Sequence, residues 1–298
     1  MRRRVLRSRL CAAACALTLA GLAGCGEQAP NSGGADAPQA GVEDAGPIHV
    51  HGLGVNPADG ALFVATHTGL FRAAPGESRT RRVADRYQDT MGFEITGPDQ
   101  FLGSGHPDLR EDLPPFLGLI RSRDGGRSWR AVSLQGDVDF HVLEARGERV
   151  YGYGSDFRSR QARFLTSEDG GRRWDRLDAP EPLVSLAISP ADSRRLVASG
   201  EQGVFASRDA GRSWSAVEAP ASGLLAWTAR GLFLAGADGR VWRSTDGNSS
   251  WASAGSVGGR PAAFDGGQDE ELLVALHDGT IKRSADAGRE WTIRSAPG

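Results

Sequence analysis

The chain has 298 residues, with 35 basic and 37 acidic side chains and a net charge of −2. So even a balance excludes the basic surface that tracks a nucleic-acid backbone or an anionic lipid layer. Its three cysteines, Cys11, Cys15 and Cys25, all lie at the N-terminal end, so the rest of the chain has no disulfide, thiolate metal cluster or cysteine nucleophile.

The opening MRRRVLRSRLCAAACALTLAGLAGC places a basic stretch before an apolar run that ends in small residues. That is the layout of a secretory signal, and the run is too short to span a bilayer. Its end, LAGC, resembles the bacterial lipobox. The resemblance implies that residues 1–24 are removed and that Cys25 becomes the first mature residue, carrying diacylglycerol and a palmitate-type N-acyl chain. Several acyl chains exceed what stable anchoring needs. RRRVLR resembles a twin-arginine export motif only loosely, and Gly26 leaves no aspartate of the kind that retains some lipoproteins at an inner membrane. Residues 26–47 have almost no bulky apolar side chains and many Gly, Ala and Pro, the composition of a flexible tether reaching ~25 Å. The expected place is the bacterial cell envelope, outside the cytoplasm, with the lipid as sole membrane contact.

From residue 48 to 298 the chain repeats itself. SRDGGRSW (Ser122–Trp129) recurs as SEDGGRRW (Ser167–Trp174), SRDAGRSW (Ser207–Trp214), STDGNSSW (Ser244–Trp251) and SADAGREW (Ser284–Trp291). The interval is about 40 residues, the period of a stacked-blade architecture. Within each phrase the Asp carboxylate can accept backbone N–H groups of a tight turn. The glycine two positions later supplies a positive φ, and Asn248 stands in for it once, asparagine being the residue that best tolerates that conformation. The tryptophan opens the next strand. These phrases resemble the Asp-box, or bacterial neuraminidase repeat. The resemblance implies an all-β, six-bladed β-propeller of four-stranded antiparallel blades, with each box at the turn between third and fourth strands. It also implies that Asp124, Asp169, Asp209, Asp246 and Asp286, with Trp129, Trp174, Trp214, Trp251 and Trp291, are structural and lie away from the ligand face. Blade 1, opening at IHVHGLGV, carries a decayed box, APGESRTRRV, without tryptophan. A seventh blade would need strands from the tether, which its composition forbids.

The propeller places every histidine of the chain on the face opposite the boxes, at the channel mouth. His49 and His51 open the first strand of blade 1, and alternation points both the same way. His141 opens the first strand of blade 3, while His67, His106 and His277 end second strands. Met91 enters from the first strand of blade 2, and Asp85, Asp89, Asp108, Asp139 and Asp156 fall nearby. Two readings stay open. In one, His49, His51, His67, His106 and His141 converge on a metal, copper if Met91 joins them and zinc if carboxylates do. In the other, these are ordinary loop residues and Met91 fills the core. Two long loops on this face, Gly103–Phe116 and Gly154–Gln161, bring Asp108, Arg110, Asp156 and Arg158, which with Asp139 and His277 are candidate ligand contacts.

Two functional classes follow. Sialidases share this repeat, and the resemblance implies a Tyr nucleophile with carboxylate partners; Tyr87 with Asp85 or Asp89 is the candidate set. The Arg-Ile-Pro motif of that family is missing, however, and no glutamate is placed by any motif. Asp-box propellers also include a photosystem II assembly factor and sortilin-type receptors, which bind other proteins. A monomeric lipid-anchored propeller that binds a protein or small ligand at its channel mouth is the preferred expectation.

Overall fold

The computed structural model describes residues 46–47, 49–247, 250–267 and 271–297. Cys25, the signal segment, the tether up to residue 45, and Asn248 lie outside these residues. Among them there is no helix; twenty-four strands form six antiparallel sheets, each made of four consecutive strands in simple order. The inner strands are Val50–Val55, Asp89–Gly97, Val138–Arg146, Leu183–Ile188, Gly223–Thr228 and Pro261–Gly266. Each lies beside the inner strands of the blades before and after it, and the first also meets the last. The sheets thus close into a six-bladed propeller around a central channel.

Second strands are sandwiched by neighbouring blades on both faces. LFVAT, LVASG, GLFLAG and LLVAL are accordingly buried at every position, which is why they read as unbroken apolar runs. Outer strands are short and polar, such as Arg81–Arg82 and Asp175–Leu177, a composition that discourages edge-to-edge pairing.

The apolar core is divided among the six blade interfaces. Blades 2 and 3, for example, meet over Leu102, Leu119, Phe140 and Leu143, with Trp174 packed against them. Trp129, Trp214, Trp251 and Trp291 pack in the same way at four further interfaces. The interface between blades 6 and 1 has no tryptophan, because blade 1 lacks one. Polar contacts reinforce that junction. Arg294 donates to the carbonyls of Ala73, Ala74 and Glu77, and Ser295 Oγ donates to the Ser78 carbonyl at 2.9 Å.

Each box is a closed hydrogen-bonded unit. Ser122 Oγ donates to Asp124 Oδ1 at 2.8 Å and accepts from the Gly126 amide, while Asp124 Oδ1 accepts from the Ser128 amide. Asp169, Asp209 and Asp286 repeat the pattern, and Asp246 accepts from Ser244 Oγ and the Ser250 amide. The turn needs two consecutive positive φ values, not one. Gly126 (80°) follows Gly125 (69°), and in the third and fifth boxes the first of the pair is Ala210 (65°) or Ala287 (63°).

Near the start of the inner strand the pairing register slips by one residue in five blades. The extra residues are His51, Met91, His141, Val184 and Ala262, and blade 5 pairs regularly through Leu224. Both His49 and His51 reach the His67 ring, but strand alternation is not the reason. His49 precedes the strand at φ 54°, and His51 occupies a bulge, which re-aims a side chain.

Candidate functional site

Bulges and strand ends on blades 1–3 bring five histidines and two aspartates together. His51, in the bulge of the first inner strand, stacks edge-on against His67 with ring centroids 4.3 Å apart; His49 approaches the same ring at 5.2 Å. His67 Nδ1 lies 2.9 Å from Asp89 Oδ1, and Asp89 Oδ2 lies 3.2 Å from His106 Nδ1. His106 Nε2 in turn is 3.6 Å from Asp139 Oδ2, which sits 3.0 Å from His141 Nε2. Imidazoles and carboxylates thus alternate from His67 to His141 across three blades.

Burial grades the array. The Asp139 side chain is 3% exposed, whereas the His106 and His141 side chains are 40% and 47% exposed. Two buried polar atoms of the array, His51 Nε2 and Asp139 Oδ1, have no hydrogen-bond partner among the described residues. Burial, assisted by His67, lowers His51 to about pKa 4, so its ring is neutral at ordinary pH. Burial works to raise Asp89, but hydrogen bonds from His106 and His67 outweigh it and the net shift is downward. Hydrogen bonding to Asp89 raises His106, and hydrogen bonding to Asp139 raises His141.

One donor atom each from His51, His67 and Asp89 lie within 4.8 Å of one another. Two imidazoles and a carboxylate form a nitrogen and oxygen donor set of borderline softness, suited to Zn(II) or Cu(II). A neutral, half-buried His51 with an unpartnered Nε2 fits such an ion, and Asp89 Oδ2 accepting from His106 is the kind of outer contact that orients a ligand. Met91 occupies the bulge of its own strand. His277 follows the second strand of blade 6 and is exposed, and its backbone amide donates to the Arg260 carbonyl.

The other candidates act within their own loops. Asp108 is buried, accepts from the Tyr87 amide and holds Arg110, whose guanidinium also bonds Asp85 at 3.0 Å. The hydrogen bond from Arg110 holds the Asp108 carboxyl far below the usual carboxylate range. Asp156 accepts from the amide and hydroxyl of Ser159 and pairs with Arg163. Arg158 is exposed and lies 3.9 Å from Asp137. The Tyr87 ring is flanked by the guanidinium groups of Arg82 at 3.9 Å and Arg110 at 4.9 Å. No hydrogen bond joins its hydroxyl to Asp85 or Asp89 among the described residues.

Sequence reasoning missed the acids inside the channel. Glu94, Glu144 and Asp265 occupy corresponding places on the inner strands of blades 2, 3 and 6. All three line a cavity of about 280 Å³ reaching up to His51 and His141, and on the side of blades 4–6 Val184, Leu224 and Ala262 line it beside Ser185. Glu94 and Asp265 also line a second cavity of about 460 Å³ toward the box face, with Arg146 and Trp227. Burial raises all three carboxyls, Asp265 to about 7; mutual repulsion with neighbouring acids adds to the rise of Glu94 and Glu144. Their signal was an acidic residue interrupting an otherwise apolar strand, as in GFEIT and AAFDG.

No family model and no curated protein matches the chain. Among solved structures, it is similar to a gluconolactonase from Xanthomonas campestris at 14% identity and TM-score 0.59, with 77% of this chain and 83% of that one covered. A Niastella koreensis GH74 enzyme matches at 14% identity and TM-score 0.57, over 84% of this chain and 45% of its own. YCF48 from Cyanidioschyzon merolae matches at 15% identity and TM-score 0.51, over 85% and 88%. The chain therefore spans less than half of the GH74 enzyme. At these identities the likeness shows the β-propeller fold and nothing of the chemistry.

Proposed function

We propose that the chain is a lipid-anchored cell-envelope propeller that binds a zinc or copper(II) ion at its channel mouth and uses that face to hold a protein or small-ligand partner. The observation that carries this reading is the convergence of His51, His67 and Asp89 donor atoms within 4.8 Å. The apolar side chains of Val184, Leu224 and Ala262, which line the same cavity, give a partner a surface to bury beside the ion. The glycosidase alternative draws no support from Tyr87, whose ring is packed between arginines instead of being activated by a carboxylate.

The test is elemental analysis of protein loaded separately with Zn(II) and Cu(II) and then desalted. At least one ion per chain is expected, lowered by His51→Ala/His67→Ala. A metal-free protein after both loadings removes the metal from this reading. Detergent partitioning of wild type and Cys25→Ala checks the anchor; equal partitioning would remove it.

A further inference from the structure

The mouth site described above takes up only half of the histidine–aspartate array. We propose that His106, His141 and Asp139 form a second metal site beside the first, linked to it through Asp89, so that the mouth holds two ions. This rests on the reading of the mouth as a metal centre.

Three observations carry the second site. First, His106 and His141 present the same nitrogen, Nε2, to one oxygen, Asp139 Oδ2, at 3.6 and 3.0 Å. Two imidazoles from different strands thus flank one carboxylate oxygen, less tightly gathered than His51, His67 and Asp89. Second, that carboxylate is 97% buried by its side-chain exposure of 3%, and its Oδ1 has no partner. A buried carboxylate oxygen without a partner loses its hydration with nothing in return, and imidazole pairing at Oδ2 leaves that cost in place. A cation bound by the carboxylate satisfies Oδ1. Third, the two rings are roughly half exposed, so they can turn toward an ion while the buried Asp139 stays fixed.

Asp89 supplies the link. Its Oδ1 belongs to the first set, while its Oδ2 accepts from His106 Nδ1. That hydrogen bond leaves His106 Nε2 as the nitrogen that ligates, and a metal-bound histidine donating its other N–H to a carboxylate is the usual outer arrangement.

The experiment counts ions in the full chain, loaded with Zn(II), by elemental analysis and by titration against a chromophoric chelator. Wild type is expected to hold two per chain. His106→Gln/His141→Gln, which changes half-exposed rings, should fall to one, and so should His51→Gln/His67→Gln. Circular dichroism confirms that each variant is folded, and Asp139→Asn gives an independent route to the same loss. One ion in wild type, unaffected by the His106/His141 change and removed by the His51/His67 change, overturns the second site and leaves the first. No bound ion overturns both.

Discussion

Burial in the channel pushes the Asp265 carboxyl up to about 7, with Glu144, Glu94 and Arg146 as its charged surroundings. The unfolded carboxyl loses its proton near pH 4, whereas the folded one keeps it to about pH 7. Between those values the native state holds more protons than the unfolded state, so stability falls as pH rises and stays lowered above the window. Asp265→Asn removes this loss. Its melting temperature should change less between pH 5 and 8 than that of wild type, and at pH 8 should exceed it by several degrees; parallel curves would show that Asp265 is already ionised when folded. This residue was hard to read from sequence. Glu94, Glu144 and Asp265 are scattered over most of the repeat region with no motif spacing, and only closure of the ring brings them together. The side of the ring that carries the histidines was legible because each stands at or near a strand end whose face the boxes determine.

At the scale of the element, the box glycine has two duties. Gly171 sits at φ 85°, and a Cβ built there would lie 2.0 Å from Leu119 Cδ2 of the neighbouring blade. Gly171→Ala therefore meets both left-handed strain and overpacking, and should cost about 2–4 kcal/mol in denaturant unfolding. Metal content should not change, since the turn lies on the far face; a loss smaller than ~1 kcal/mol would show that the blade relaxes around the methyl. The Ser, Asp, Gly and Trp of the box were legible because turn chemistry restricts residue choice so narrowly. The second left-handed position was not, since Ala210 and Ala287 give no local sign of positive φ. The inner-strand bulges were equally silent: the slip depends on the partner strand, and the five bulge residues His51, Met91, His141, Val184 and Ala262 are of four different types.

For the whole molecule, the question is what holds the ring shut. Five interfaces carry a tryptophan from the following blade, and the junction of blades 6 and 1 does not. No strand is exchanged there either, because each sheet consists of four consecutive strands. Arg294 takes up part of the task by gathering three carbonyls of the decayed box turn, Ala73, Ala74 and Glu77. A charged donor to partly buried carbonyls contributes about 1.5–3 kcal/mol, so Arg294→Ala should lower the melting temperature by several degrees for a domain of this size. Hydrogen exchange should localise the loss to Val50–Val55 and Pro261–Gly266, the inner strands flanking the junction. The histidine–aspartate array spans only the junctions between blades 1 and 2 and between blades 2 and 3, so metal stoichiometry should survive. Bound metal should then raise the melting temperature of Arg294→Ala about as much as that of wild type, because a ligand stabilises by mass action on the native state alone. A variant that loses its metal along with its stability would mean that closure at the far junction sets the geometry of the mouth.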